Sequence, residues 1–582
     1  MTARRHNHRI VVIGWDGATF DLLLPWVAQG KLPNFAAFLH GSAHGPLRST
    51  MPPFTYPAWT TFLTGKNPGR HGVFDFTERI PGTHQIQFVN ARSMRAPTIW
   101  RLLSDAGRRV ACMGVPVSYP PEPINGVLIC GFDAPGSGSR TDASSVYPPE
   151  LLGEIRRNVG SYVTAANIMP LMSTDHHEAA LDLILDTLEI KARTARYLLE
   201  REPWDVFMVL FGESDLVGHH FWRFTDPQSP LYSRSASGRV SEAIYEVYAR
   251  LDEMLGLLLE ACPPDCVRLM VSDHGFGGSG DRVIYMNRWL AEQGFLTFAG
   301  DPGAPGAESG LAYRMVSRAK NWGLRFLPPA IKTHIFRRRP EIAGRMESYL
   351  RFSGIDWSRT QAFSEELPYL QNIWINVKGQ EPYGIVEPGR QYDEVLARLR
   401  ERLLAWVDPL SGEKVVAEVH HREELYVGPY ADRAPDLLVV TRTPGGYAYQ
   451  GKSSQQAGGS GSLVRLRPDA PGSLKFFAAK SGSHRNHGIF LAQGPMIAAG
   501  QTIQGARLMD IAPTILYLLD QPVPSDMDGV VLADALQPEF MATRPVIRGA
   551  PEAEVVGAGA ANYTPDEDAV MAKRLQDLGY LE

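Results

Sequence analysis

Short, wholly apolar runs alternate along this chain with longer stretches in which apolar residues recur every three or four positions. The runs cover residues 10–14, 110–114, 127–130, 206–211, 267–271 and 488–492; between them lie helical patterns such as 179–199 and 241–259. A short continuous apolar run suits a strand buried on both faces, and a three-to-four spacing suits a helix with one buried face. The alternation predicts an α/β fold, a central and mostly parallel sheet sandwiched by helices. In such sheets ligands gather at the carboxyl ends of the strands. Asp16, Asp215 and Asp273 each follow a predicted strand by a few residues.

The pattern changes after residue 298. GDPGAPGAESG is a Gly/Pro-rich linker, and residues 311–350 are helical in pattern and rich in arginine. New strands and a helix at 392–407 follow, then TPGGYAYQGKSSQQAGGSGS, a polar segment expected to be a mobile loop. This divides the chain into a core (1–298 and 476–540), an inserted cap region (299–475), and a C-terminal tail (541–582) with a terminal helix at 565–578.

Composition narrows the function. The chain has 582 residues, 44% hydrophobic and 21% charged, as in ordinary globular proteins. A net charge of -5 makes no electrostatic case for nucleic acid or an anionic membrane. The basic run Arg337-Arg338-Arg339 is expected on a solvated surface. No apolar run approaches the ~20 residues that cross a bilayer. The N-terminal apolar stretch of about five residues is shorter than a signal segment, so a cytoplasmic location is expected. Four cysteines are too few for a disulfide scaffold, and Cys262 and Cys266 have no second pair to complete a metal clip.

The chemistry lies in scattered motifs. Asp16 stands in VVIGWDG, Thr55 in PPFTYPAWTTFLTG, Asp215 and His219 in ESDLVGHH, Asp273 and His274 in VSDHGFG, and His484 in SGSHRNHG. A mixed carboxylate and imidazole set suits zinc, with manganese as the alternative, better than calcium, which takes oxygen ligands alone. Two such ions about 4 Å apart stabilise the attacking and leaving oxygens of a phosphoryl transfer. Asp215 and His219, four apart, meet on one face if Asp215 opens a helical turn. Thr55, two residues before Pro57, is expected at a helix N-cap, beside backbone N–H groups that bind phosphate. Alone, that threonine is a plain cap. His220 competes with His219, and His487 with His484.

In this order the motifs resemble the alkaline phosphatase superfamily, and within it the type I phosphodiesterase/nucleotide pyrophosphatase branch. The resemblance covers most of 9–298 and 363–535, and is most specific in GWDGATF, the long stretch from LPNF to FDF, ESDLVGHHFW, SDHGFG, RAPDLLVV and SGSHRNHGIFLAQGP. It implies an alkaline-phosphatase-like core, two divalent ions and a small-molecule phosphate ester as partner. By motif, Asp16, Asp273, His274 and the Thr55 hydroxyl would surround one ion, and Asp215, His219 and His484 the other. Thr55 would attack phosphorus in line, giving a phospho-threonine that water hydrolyses. His484 is preferred because it takes the place of the histidine ahead of the GIFLAQGP strand.

One departure concerns the substrate. Many nucleotide pyrophosphatases place an asparagine shortly after the His-Gly of the nucleophile helix to hold a phosphate oxygen. Here His71-Gly72 leads into Val73-Phe74-Asp75-Phe76, and Asp75 would repel a nearby phosphate when ionised. Thr55-Tyr56-Pro57-Ala58-Trp59 lacks both the cysteine and the arginine of a sulfatase motif. The expected activity is hydrolysis of phosphodiester or pyrophosphate-type bonds. Phosphomonoesterase, phosphonate hydrolase or phosphomutase activity is the alternative on the same core, with a non-catalytic binding protein behind them. The sequence leaves the oligomeric state open.

Overall fold

A computed structural model describes residues 8–135, 141–201, 203–234, 238–299, 348–349, 351–454, 461–466, 480–553 and 563–577. Its central sheet has eight strands in the order Ala43–Arg48, His487–Gln493, Val267–Val271, Ile10–Trp15, Val206–Phe211, Val110–Met113, Gly126–Ile129 and Val146–Tyr147. Five neighbours, from Val267–Val271 to Gly126–Ile129, run parallel. The strands at both flanks are antiparallel.

Burial on both faces explains the unbroken apolar runs. Val206–Phe211 and Ile10–Trp15 are buried throughout. Side chains alternate between two cores. Ile10, Val12, Val206, Met208 and Leu210 pack with the helices Thr55–Thr64 and Ile511–Leu518 on one side. Val11, Ile13, Phe207, Val209 and Phe211 pack with His177–Arg201 and Ala243–Ala261 on the other. Each such side chain contributes about 1.5–3 kcal/mol when fully buried, and a charge in either strand would be strongly destabilising.

Register places the chemistry. Trp15 pairs with Phe211, and Gly14 pairs with both Leu210 and Val271. Three adjacent parallel strands therefore end at one level. The chain leaves them through Asp16, through the helix Glu213–Thr225, and through Asp273-His274.

Residues 362–441 build a second, antiparallel sheet from Ala362–Phe363, Gln371–Ile375, Leu437–Thr441 and Val416–His421, covered by the helix Arg390–Ala405. Val395, Leu399 and Leu403 are the buried stripe of that helix. The polar segment expected as a loop contains a strand instead, Ala448–Gly451, buried at all four residues. It runs parallel to Gly275–Ile284, which also pairs with Leu463–Arg465 and Gly482–Arg485. Partner backbones, rather than local composition, make these strands. Glycine in Gly275–Ile284 permits the close approach: a Cβ at Gly275 would lie 2.1 Å from the His487 carbonyl oxygen. The linker expected from residue 300 on, the Arg337-Arg338-Arg339 run and nearly all of 311–350 fall outside the described residues.

Candidate active site

Asp16, Asp215, His219, Asp273, His274 and His484 converge at the carboxyl ends of the three strands, all of them buried. Asp215 and His219 lie one turn apart on Glu213–Thr225, where Asp215 is the third helical residue. His219 Nε2 and His484 Nε2 approach to 2.9 Å, and each is 3.3 Å from Asp215 Oδ1. His274 Nε2 lies 3.3 Å from Asp273 Oδ2 and 3.5 Å from Asp16 Oδ1. The His274 and His484 rings stack at 3.7 Å. Asp215 reaches both groups: its carboxylate is within 4.8 Å of ligand atoms from His219 and His484, and equally of those from Asp16 and His274.

All three imidazoles are anchored at Nδ1 by backbone carbonyls: His219 to Gly482 O at 3.1 Å, His274 to Gly275 O at 3.0 Å, and His484 to Pro53 O at 2.8 Å. A carbonyl only accepts, so each Nδ1 carries the proton and each Nε2 turns its lone pair to the centre. Among the described residues, Asp16 Oδ1, Asp273 Oδ2 and His274 Nε2 find no hydrogen-bond donor. Buried acceptors turned toward one another in this way repel unless a cation lies between them. The donor set fits a divalent ion of the zinc or manganese type.

The electrostatics agree. Burial, then the charges of Asp273 and Asp215, push the Asp16 carboxyl well above its ordinary value. Burial and Asp215 do the same to Asp273. At Asp215 burial opposes ionisation, but charged His219 and His484, with Nε2–H toward Oδ1, would outweigh it and hold the carboxyl well below its ordinary value; an ion bound there would displace those protons and take their place. Burial, followed by neighbouring His484, pushes His274 well below its ordinary value.

Thr55 is fully buried and begins the helix Thr55–Thr64. It is not the N-cap expected from sequence: Phe54, with extended backbone, holds that position, and Thr55 is the first helical residue. The helix start is pinned from both sides. Pro53 O accepts from His484, and Trp59, one turn after Thr55, donates through Nε1 to Asp16 Oδ2 at 3.0 Å.

Of the competing histidines, His484 belongs to this cluster, whereas His487 is exposed on the strand beside Arg48. His220 is buried next to His219, about 100° further round the helix. Asp75 lines a separate cavity of about 210 Å³ together with Phe54, Glu365, Trp374 and Tyr426. All four cysteines are free and buried.

The family model for type I phosphodiesterase/nucleotide pyrophosphatase matches residues 10–488. The chain belongs to this family. It is accordingly a hydrolase, of a family that depends on metal. Among solved structures, phosphonoacetate hydrolase from Sinorhizobium meliloti in complex with phosphonoformate is similar over 88% of this chain and 95% of that one, at 15% identity and a TM-score of 0.50. Human ectonucleotide pyrophosphatase/phosphodiesterase 5 is similar over 89% and 96%, at 14% identity and a TM-score of 0.44. The inactive murine form of the latter, in complex with AMP, is 15% identical with the same TM-score of 0.44, over 88% and 95%. No curated protein matches the chain. Among the described residues no helix is long and apolar enough to cross a membrane.

Three residues around the centre were given no role in the sequence reading: Trp59, Tyr369 and Lys480. Trp59 had a legible signal, since it follows Thr55 by one helical turn. Tyr369 and Lys480 come from segments 111 residues apart and had none.

Proposed function

We propose that the chain is a two-metal hydrolase of phosphodiester or pyrophosphate-type bonds, with Thr55 as nucleophile. The observation that supports this best is the set of three imidazoles, each fixed at Nδ1 by a carbonyl and turning Nε2 into one carboxylate-lined centre. Asp16, Asp273, His274 and the Thr55 hydroxyl would hold one ion, and Asp215, His219 and His484 the other, with zinc first and manganese second in preference. Bound there, the ions would offset charge on the attacking and leaving oxygens.

The protein's own groups do the rest. The Thr55 helix presents its hydroxyl at the N-terminus, where backbone N–H groups and the helix dipole favour a phosphate oxygen. Thr55 Oγ gives its proton to solvent and forms a bond to phosphorus as the leaving oxygen departs with the bonding pair and takes up a proton from water. Water then cleaves the phospho-threonine and restores the hydroxyl. Trp59 and the Pro53 carbonyl keep this helix end in line with Asp16 and His484. Asp75, on the wall of the neighbouring cavity, is the substrate-binding residue of this reading. Four free thiols suit a reducing, cytoplasmic setting.

The test is a side-by-side assay of bis-p-nitrophenyl phosphate, p-nitrophenyl phosphate, a phosphonate ester and the sulfate ester, with and without zinc or manganese. Diester hydrolysis that needs metal and is lost in Thr55→Ala is expected. Wild-type rates in Thr55→Ala would sink the nucleophile assignment.

A further inference from the structure

The helix that carries Asp215 and His219, Glu213–Thr225, begins without a side-chain cap, because its N-cap is Gly212. The first turn of a helix has no intrahelical partners for its N–H groups and frays unless something holds it. Asp215 lies in that turn. Two side-chain contacts tie the turn down: Ser214 Oγ donates to Asp16 O at 2.6 Å, and Glu213 Oε1 pairs with Lys191 Nζ at 2.8 Å. Glu213 and Asp215 are two positions apart, about 200° round the helix. The ion pair therefore pulls on the face turned away from the one that presents Asp215.

Lys191 belongs to the long helix His177–Arg201, where it stands in the buried stripe Ile184, Leu188, Lys191 and Ala195. It is 3% exposed, and Glu213 is 2% exposed. A pair buried so completely is a costly way to join two helices, since apolar residues of similar volume are often as stable or more so. Glu213 Oε2 adds to the cost, because it finds no hydrogen-bond donor among the described residues. What the ion pair offers over apolar packing is direction. A cavity of about 30 Å³, lined by Lys191, Glu213, Thr164, Asp16 and Asp215, shows why direction matters here. It gives the Asp215 carboxylate room to turn away from His219 and His484 once the first turn loosens.

We propose that Lys191 is a positioning residue for the metal centre: its ion pair with Glu213 fixes the first turn of the ligand helix, so that Asp215 keeps its carboxylate within reach of both ion sites. This rests on the two-metal reading above. It adds a residue from the helical layer, one that acts through Glu213 and the helix rather than by holding an ion.

The experiment titrates zinc into the metal-free full-length protein by calorimetry and records Tm on the same samples. Lys191→Met should weaken at least one of the two zinc sites by about 10–100-fold, the usual effect of losing a group that orients a metal ligand. It should also lower Tm, because Glu213 is left buried without its partner. The double variant Lys191→Met/Glu213→Leu, which puts apolar side chains in place of the pair, should recover Tm but not zinc affinity. That split separates positioning from stability. Unchanged zinc affinity in Lys191→Met overturns the proposal, and so does a double variant that recovers affinity together with Tm. If Lys191→Met does not fold, Glu213→Gln carries the comparison. It keeps a neutral acceptor for the lysine and should weaken zinc binding at least about threefold, the difference between a charged and a neutral hydrogen bond. Zinc bound by Glu213→Gln as by wild type overturns the proposal equally. Failure of the parent reading is separate: wild-type protein then binds fewer than two zinc ions or hydrolyses no diester.

Discussion

The indole of Trp59 donates to Asp16 Oδ2 at 3.0 Å, joining the helix that begins at Thr55 to the carboxylate at the end of the first strand. The bond fixes one oxygen of Asp16 and leaves the other, Oδ1, facing His274. Trp59→Phe keeps an aromatic ring in the fully buried position and removes only the donor. It should lower kcat/KM by about 10–100-fold, the usual effect of losing a group that orients a metal ligand. Metal content after loading at limiting zinc should fall in parallel. Unaltered kinetics would show that this bond does not orient Asp16.

His484 and His487 make a sharper contrast. His484 is buried, anchored to Pro53 O and 2.9 Å from His219, whereas His487 is exposed. His484→Ala should abolish diester hydrolysis and lose about half of the bound metal, while His487→Ala should stay within about twofold of wild type. The reverse result would exchange their roles.

Gly482 offers a test that touches no catalytic side chain. Its carbonyl anchors His219, and a Cβ there would lie 2.3 Å from both Gly218 O and Phe276 Cε1. Gly482→Ala must push these groups apart. Activity should drop at least about tenfold, since shifts near 1 Å at a reacting centre have that scale. Protein that is folded by circular dichroism yet fully active would contradict it.

Asp75 predicts a pH effect on stability. Burial raises its carboxyl from 3.8 to about 7, opposed by Arg351 and reinforced by Glu365. The folded chain therefore binds this proton more tightly than the unfolded chain. The stability it contributes is present below the unfolded value and is lost as pH rises toward 7. Asp75→Asn should leave Tm unchanged near pH 4 and raise it by about 1–3 °C at pH 8. An equal shift at both pH values would argue against titration as the cause.

Removing metal should destabilise the protein, and more so at alkaline pH. Asp16 and Asp273 hold protons tightly when no cation is near, so metal must displace those protons and binds better as pH rises. The Tm loss on adding EDTA should be larger at pH 8 than at pH 5.5. A loss larger at pH 5.5 would point to a structural ion elsewhere.

Much of the fold was legible because parallel strands are buried on both faces and so read as unbroken apolar runs. The expected strand at 206–211 matches Val206–Phe211, and the expected helix at 392–407 lies within two residues of Arg390–Ala405. Strands made by a partner were not legible. Gly275–Ile284 has no unbroken apolar run, and Ala448–Gly451 lies in the polar segment expected to be a mobile loop, because their hydrogen bonds come from segments far away in sequence.

The sequence by itself determined the family, the α/β core and the residue types of the site, since each motif follows its strand or opens its helix within a few residues. Only the tertiary structure decided how they meet. Strand register set Asp16, Asp215 and Asp273 at one level; backbone carbonyls fixed which nitrogen of each histidine faces inward; and Tyr369 and Lys480 reached its edge from the bend before Gln371–Ile375 and from the approach to His484. Those contacts span more than a hundred residues of chain. No local pattern encodes them, because they depend on where separate elements pack rather than on what any one element prefers.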